Sequence, residues 1–150
     1  GPFGGNMDCR ELTEGSTLFL PVQCPGALLS LGDGHAAQGD GELSGTAIEC
    51  MLEEVRLRIT LLKNRRISSP RIRPAPLPAT VPDQPRWITL GFADTLDTAA
   101  TNAAAAMLDL MVEELNIPRS DAAALASSQV DLRITQMVNP LKGVHAVWRF

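Results

Sequence analysis

Tyrosine is absent from this 150-residue chain, aromatic residues make up only 4% of it, and there are just two histidines and three cysteines. So few rings leave no platform on which successive unpaired bases could stack. A net charge of −4 removes the broad positive field of a general nucleic-acid binder. Cys9, Cys24 and Cys50 are odd in number and widely spaced, so neither a disulfide framework nor a CxxC metal knuckle is indicated. We read them as reduced, mostly structural thiols, which suits a cytoplasmic protein. No apolar run approaches the ~20 residues that cross a membrane, and no basic segment leads into an apolar one near residue 1, so neither membrane nor export is expected. Several catalytic signatures are also missing. There is no P-loop, no GxSxG and no HExxH; Ala37 stands where GxGxxG needs its third glycine, and Gln38 where an EF-hand loop needs glycine.

What the chain has in quantity is glycine and proline, twelve and eleven residues, against a hydrophobic content of 45%. That content suffices for one domain or two small lobes without covalent staples, since a chain this long buries roughly 70% of its unfolded surface. Charge is uneven. Residues 1–50 carry −6, residues 51–86 carry +5 and residues 87–150 carry −3.

In the sequence STLFLPVQCPGALLSL at 16–31, two short apolar runs around Pro21 and Pro25 predict short strands with a bend. From Glu53 the pattern alternates, Val55, Leu57 and Ile59 against Arg56, Arg58 and Thr60, which predicts a strand with one wet face. The basic residues Arg56, Arg58, Arg65, Arg66, Arg71 and Arg73 are then mostly solvated strand and loop rather than an anion site. Six prolines fall within residues 68–86, so we expect an extended connection there without a regular element, dividing a β-rich part at 1–67 from an α+β lobe at 87–150. In that lobe Trp87 to Phe92 reads as a strand. Leu96, Ala100, Ala103, Met107, Met111 and Leu115 then recur at helical spacing, capped by Asp94 or Thr95 and ended by Asn116-Ile117-Pro118. Ser120 is expected to cap a shorter helix through about Ser127. Alternation at Val130, Leu132 and Ile134 resumes at Val144, Ala146 and Trp148 after the turn residues Asn139-Pro140-Leu141-Lys142-Gly143, a hairpin with a five-residue loop. The fold class is α+β.

The densest chemistry lies at 32–42, where Asp33, His35, Asp40 and Glu42 share a stretch with four glycines, and Gln38 adds a neutral donor and acceptor. Imidazole plus carboxylates is a ligand set for a divalent ion such as zinc, which lowers the pKa of bound water toward ~7 for attack on a carbonyl. The same Gly-Asp steps are also ordinary turn chemistry, with Asp capping its own backbone. Asn6 and Asp8 are most simply turn residues, and His145 reads as an exposed or edge-strand histidine. Cys24 has no adjacent base. Met107 and Met111 belong to the helix core.

Four blocks, GGNMD at 4–8, STLFLPV at 16–22, GALLSLGDGHAAQGDGELSGTAIE at 26–49 and VDLRITQMVNPLKGVHA at 130–146, together resemble the acetamidase/formamidase family. The resemblance implies hydrolysis of a short amide, formamide or acetamide, to its carboxylate and ammonia. It implies a β-sandwich-like N-terminal part ahead of the α+β lobe with its two helices and closing hairpin. The positions in matching motifs are Asn6, Asp8, Asp33, His35, Gln38, Asp40 and Glu42. Ranked by chemistry, His35 with Asp33 and Asp8 would hold the metal, Glu42 or Asp40 would act as general base, and Asn6 or Gln38 would orient the amide. Family chains are longer, and the match is to their rear portion, so Gly1-Pro2 in place of an initial methionine is read as an internal boundary or a tag remnant. Association with a missing N-terminal half, or homo-oligomerisation over exposed sheet edges, is therefore expected. The alternative is a catalytically inactive fragment serving as an oligomerising or interaction module.

Overall fold

A computed structural model describes residues 1–78, 80 and 84–149. In chain order the elements are β1 (Thr17–Phe19), β2 (His35–Ala37), β3 (Ile48–Glu49), β4 (Arg71–Arg73), β5 (Pro85–Ala93), α1 (Leu96–Leu115), α2 (Arg119–Gln129), β6 (Val130–Gln136) and β7 (Lys142–Arg149). The chain is α+β, with a five-stranded antiparallel sheet in the order β1-β4-β5-β7-β6 and a separate β2-β3 pair.

Helix α1 forms where the alanine-rich periodicity predicts it. Thr95 caps its first turn by accepting from the Thr98 amide at 3.3 Å. Asn116 ends it in the left-handed region (φ 53°), its amide closing onto the Val112 carbonyl. The small side chains permit unusually close docking on the sheet: a Cβ at Gly91 would lie 2.2 Å from the Ala99 carbonyl oxygen and 2.4 Å from the Ala103 nitrogen. Thr89 Oγ1 reinforces the contact by donating to the Ala103 carbonyl at 2.9 Å. Trp87, Val144, Ala146 and Trp148 face this helix together with Met107, Leu110 and Met111. On the opposite face, Ile88, Leu90, Phe92 and Val147, with Ile72 of β4 and Leu18 of β1 in the same sheet, pack against Cys9 and Met7. The central strands are thus buried on both sides.

Several expectations are corrected. Residues 53–60 form no strand, and Val55, Leu57 and Ile59 lie exposed alongside Arg56 and Arg58. A two-residue period becomes a strand only when a neighbouring edge pairs with it, and among the described residues no strand pairs with this stretch. The second apolar run at 27–31 is not a strand either, because Ala27 and Leu28 take positive φ and turn the chain. Within the proline-rich stretch, β4 is a regular element, flanked by Pro70 and Pro74 and joined to both β1 and β5. Residues 79 and 81–83 of that stretch, Pro82 among them, lie outside the described residues.

Ser120 is not a cap. Helix α2 starts from the Pro118 carbonyl, which accepts from the amides of Asp121 and Ala122, while Ser120 Oγ donates to Asp121 Oδ1. The closing hairpin has a five-residue loop, but at 137–141 rather than 139–143: Lys142 and Gly143 already belong to β7, where Gly143 stands opposite Gln136. His145 is neither exposed nor on an edge. It is 0% exposed, because β7 lies between β5 and β6 and its His145 face is covered by the N-terminal segment.

Candidate active site

The glycine-dense stretch is placed by two attachments. Within it, β2 pairs with β3 so that His35 stands opposite Glu49. Beyond β2, Gly41 docks on the end of β6: its amide donates to the Thr135 carbonyl at 3.2 Å and its carbonyl accepts from Met137 at 3.2 Å. Gly41 has φ 90°, and the adjacent Glu42 takes φ 47°, an uncommon value for a residue with a side chain. That turn carries the Glu42 side chain inward, and Glu42 is 7% exposed on a surface loop.

His35 is held at both ring nitrogens. Nδ1 lies 3.0 Å from Gln38 Oε1, while Nε2 lies 3.1 Å from Asp33 Oδ1 and 3.1 Å from Glu49 Oε2. The bond to Gln38, and after it the charges of Glu49 and Asp33, raise the His35 pKa above its ordinary value. Gln38 is engaged at both ends of its amide, since its Nε2 also donates to the Asp8 carbonyl at 2.5 Å. Glu49 is held as the carboxylate, its pKa lowered first by the Thr46 hydroxyl and then by the Ala47 amide.

Asp8 is 7% exposed, although its segment is a turn. Its Oδ2 accepts from Asn6 Nδ2 at 2.9 Å and from Asn139 Nδ2 at 2.6 Å, and its amide donates to Gln136 Oε1 at 3.1 Å. Burial, and then the charge of Asp8, push the Glu42 pKa up. Two buried carboxylates side by side need a shared proton or a cation to neutralise them.

The structure therefore brings six of the seven sequence candidates into one network: Asn6, Asp8, Asp33, His35, Gln38 and Glu42. Donor atoms of Asp8, Asp33 and His35 lie within 4.8 Å of one another, as do those of His35, Glu42 and Glu49. Asp40 points elsewhere, to Arg133 Nη1 at 4.0 Å, and its charge acts on Cys9 and His145. Glu49, Gln136 and Asn139 were missed as site residues from sequence. All three lie inside the blocks at 26–49 and 130–146, but no spacing rule marks them.

The basic residues are dispersed. Arg65 and Arg71 both pair with Glu113, Arg56 pairs with Glu54, and Arg73 lies over the Trp87 ring at 5.2 Å. Among the described residues no helix is long and apolar enough to cross a membrane.

Comparison with known proteins bears on this arrangement. The model of the Acetamidase/Formamidase family matches residues 2–146, nearly the whole chain. The chain belongs to this family. It is 34% identical over 84 residues to a formamidase of Methylophilus methylotrophus, an alignment covering 53% of this chain and 21% of that one. The crystal structure of an acetamidase from Bacillus halodurans superposes with a TM-score of 0.81 at 32% identity, over 99% of this chain and 47% of the other. An acetamidase from Yersinia enterocolitica gives a TM-score of 0.79 at 30% identity, over 97% and 41%. The chain thus spans less than half the length of these relatives.

Proposed function

We propose that this chain carries the reactive centre of an amidohydrolase that converts a short-chain amide, formamide or acetamide, to its carboxylate and ammonia. The observation that carries this reading is the buried Asp8 and Glu42 pair beside His35 in a chain of this family. The donor set, one imidazole nitrogen with surrounding carboxylates, has the chemistry of a divalent-cation site. His35, Asp33 and Asp8 would hold the ion, zinc in the first instance. A bound ion of this kind supplies a polarised water whose proton is lost near neutral pH.

The protein's own groups then have distinct tasks. Glu42, with its pKa raised by burial and by Asp8, is suited to take a proton at its carboxylate near neutral pH and return it to the leaving nitrogen. Asp40 is less suited, because it is turned toward Arg133. Gln38 is a positioning residue, with both ends of its amide already engaged by His35 and Asp8. Asn6 and Asn139 fix Asp8, and either amide can present its remaining polar atoms to the substrate.

A second reading concerns assembly. Leu57, Ile59 and Leu61 are exposed within a stretch that pairs with nothing described, and solved relatives are more than twice as long. Association, with a second copy or with the portion of the family chain not represented here, would cover this surface and complete the substrate pocket. An inactive module that only associates is the limiting form of this reading.

The test is ammonia release from formamide and acetamide, with zinc added and with a chelator, alongside light scattering. Turnover that needs zinc and is lost in His35→Ala supports the hydrolase. A stable oligomer that stays silent with zinc, and whose assembly ignores His35→Ala, favours the association module.

A further inference from the structure

On the sheet face away from α1, a second group of side chains converges that the amide chemistry does not use. We propose that Cys9, Glu11 and His145 form a buried site for a single zinc-type divalent ion. It is separate from the residues assigned to hydrolysis and does not depend on that assignment.

The anchor is His145. It is 0% exposed, and its Nε2 is buried with no hydrogen-bond partner among the described residues, which is costly for a polar nitrogen. Nδ1 lies 2.8 Å from Thr135 Oγ1. When Nδ1–H donates to that hydroxyl, the Nε2 lone pair is left facing Glu11 Oε2 at 3.7 Å. A ligating imidazole shows this pattern: one nitrogen oriented by an outer partner, the other free for the ion.

Glu11 is prepared in the same way. Arg133 Nη1 donates to its Oε1 at 3.0 Å, which leaves Oε2 facing both His145 and Cys9. The buried Cys9 Sγ–H donates to Oε2 at 3.4 Å. The donor atoms of all three residues lie within 4.8 Å of one another. Ligand bonds of ~2.0–2.3 Å at tetrahedral angles require donor separations of about 3.3–3.6 Å. Two of the three separations, 3.4 Å and 3.7 Å, are close to that, and the third, between Cys9 Sγ and His145 Nε2, is no more than 4.8 Å, so closure around an ion draws the thiol and the imidazole together by about 1 Å.

Charge and softness agree with zinc. Burial, and then Glu11, push the Cys9 thiol well above its ordinary pKa, so without a cation the sulfur keeps its proton. On binding, that proton leaves to solvent and the thiolate coordinates. One thiolate, one carboxylate and a neutral imidazole then balance a dication, while Arg133 and Asp40 beside them, 4.0 Å apart, carry one charge of each sign. A thiolate with an imidazole favours zinc over magnesium or calcium.

Cobalt(II) is the probe, in the full chain carrying Cys24→Ser and Cys50→Ser so that Cys9 is the only thiol. The expected result is a sulfur-to-cobalt charge-transfer band saturating at one equivalent, absent in Cys9→Ser and retained in Asp33→Asn. Cobalt uptake without that band, no uptake, or a band that survives Cys9→Ser would overturn the proposal. Should Cys9→Ser fail to fold, Thr135→Val provides the test, since it removes only the outer partner of His145. It should weaken the band-forming affinity by about 10- to 100-fold; an unchanged affinity would remove His145 from the ligand set and overturn the proposal. A positive band beside a silent amide assay would count against the hydrolase reading alone.

Discussion

Asn139 Nδ2 donates to Asp8 Oδ2 at 2.6 Å, joining the loop of the closing hairpin to a carboxylate 131 positions earlier in the chain. The contact explains why a turn residue near the N-terminus is buried, and it ties the site to the rigid β6-β7 pair. Asn139→Ala should therefore release Asp8. A hydrogen bond to a charged group contributes about 1.5–3 kcal/mol, so urea unfolding should show a loss in that range, together, on the proposed hydrolase reading, with reduced amide turnover. An unchanged midpoint would mean that Asp8 is held by Asn6 and Gln136 alone.

Glu42→Gln separates stability from activity. Replacing Glu42 removes the carboxylate that burial and Asp8 both disfavour, so the variant's melting temperature should rise. On the proposed hydrolase reading Glu42 is the general base, whose loss lowers rates by about 10²- to 10⁴-fold, so turnover should fall while Tm increases. A fall in both would contradict the role of Asp8–Glu42 repulsion.

The docking of α1 on β5 depends on Gly91. Gly91→Ala places a methyl against backbone atoms of Ala99 and Ala103, which cannot rotate aside. Overpacking costs typically 1–3 kcal/mol and more where nothing yields, so a loss of about 3 kcal/mol or greater is expected from denaturant titration. Gly39→Ala is the matched control. A Cβ there meets nothing within 4 Å among the described residues, and the variant should unfold at or slightly above the wild-type midpoint.

Leu110 is 1% exposed within the cluster beneath the two tryptophans. Leu110→Ala should cost about 2–5 kcal/mol by calorimetry or urea unfolding. Leu57→Ala, at an exposed position, should leave monomer stability nearly unchanged and instead shift any self-association seen by light scattering.

Legibility followed contact distance along the chain. Asp33, His35 and Gln38 lie within six positions, so their proximity was legible in a glycine-rich stretch, while the hydrogen bonds that His35 makes to Gln38 and Asp33 are read from the structure. Helix α1 and the β6-β7 hairpin were legible because apolar periodicity and turn residues are local. The 53–60 stretch failed for the converse reason: its alternation is genuine, yet a strand exists only when another edge pairs with it. His145 failed similarly, because alternation tells which residues share a face but not whether that face is covered.

By itself the sequence determined the α+β class, the principal helix and hairpin, and the acidic histidine loop, since all of these follow from spacing within a few turns of chain. Only the tertiary structure decided that Asp8 is buried beside Glu42, that Asp40 turns toward Arg133, and that Cys9, Glu11 and His145 meet under the sheet. Those outcomes depend on which surfaces cover one another, and burial is what shifts the titration of Glu42, Cys9 and His145.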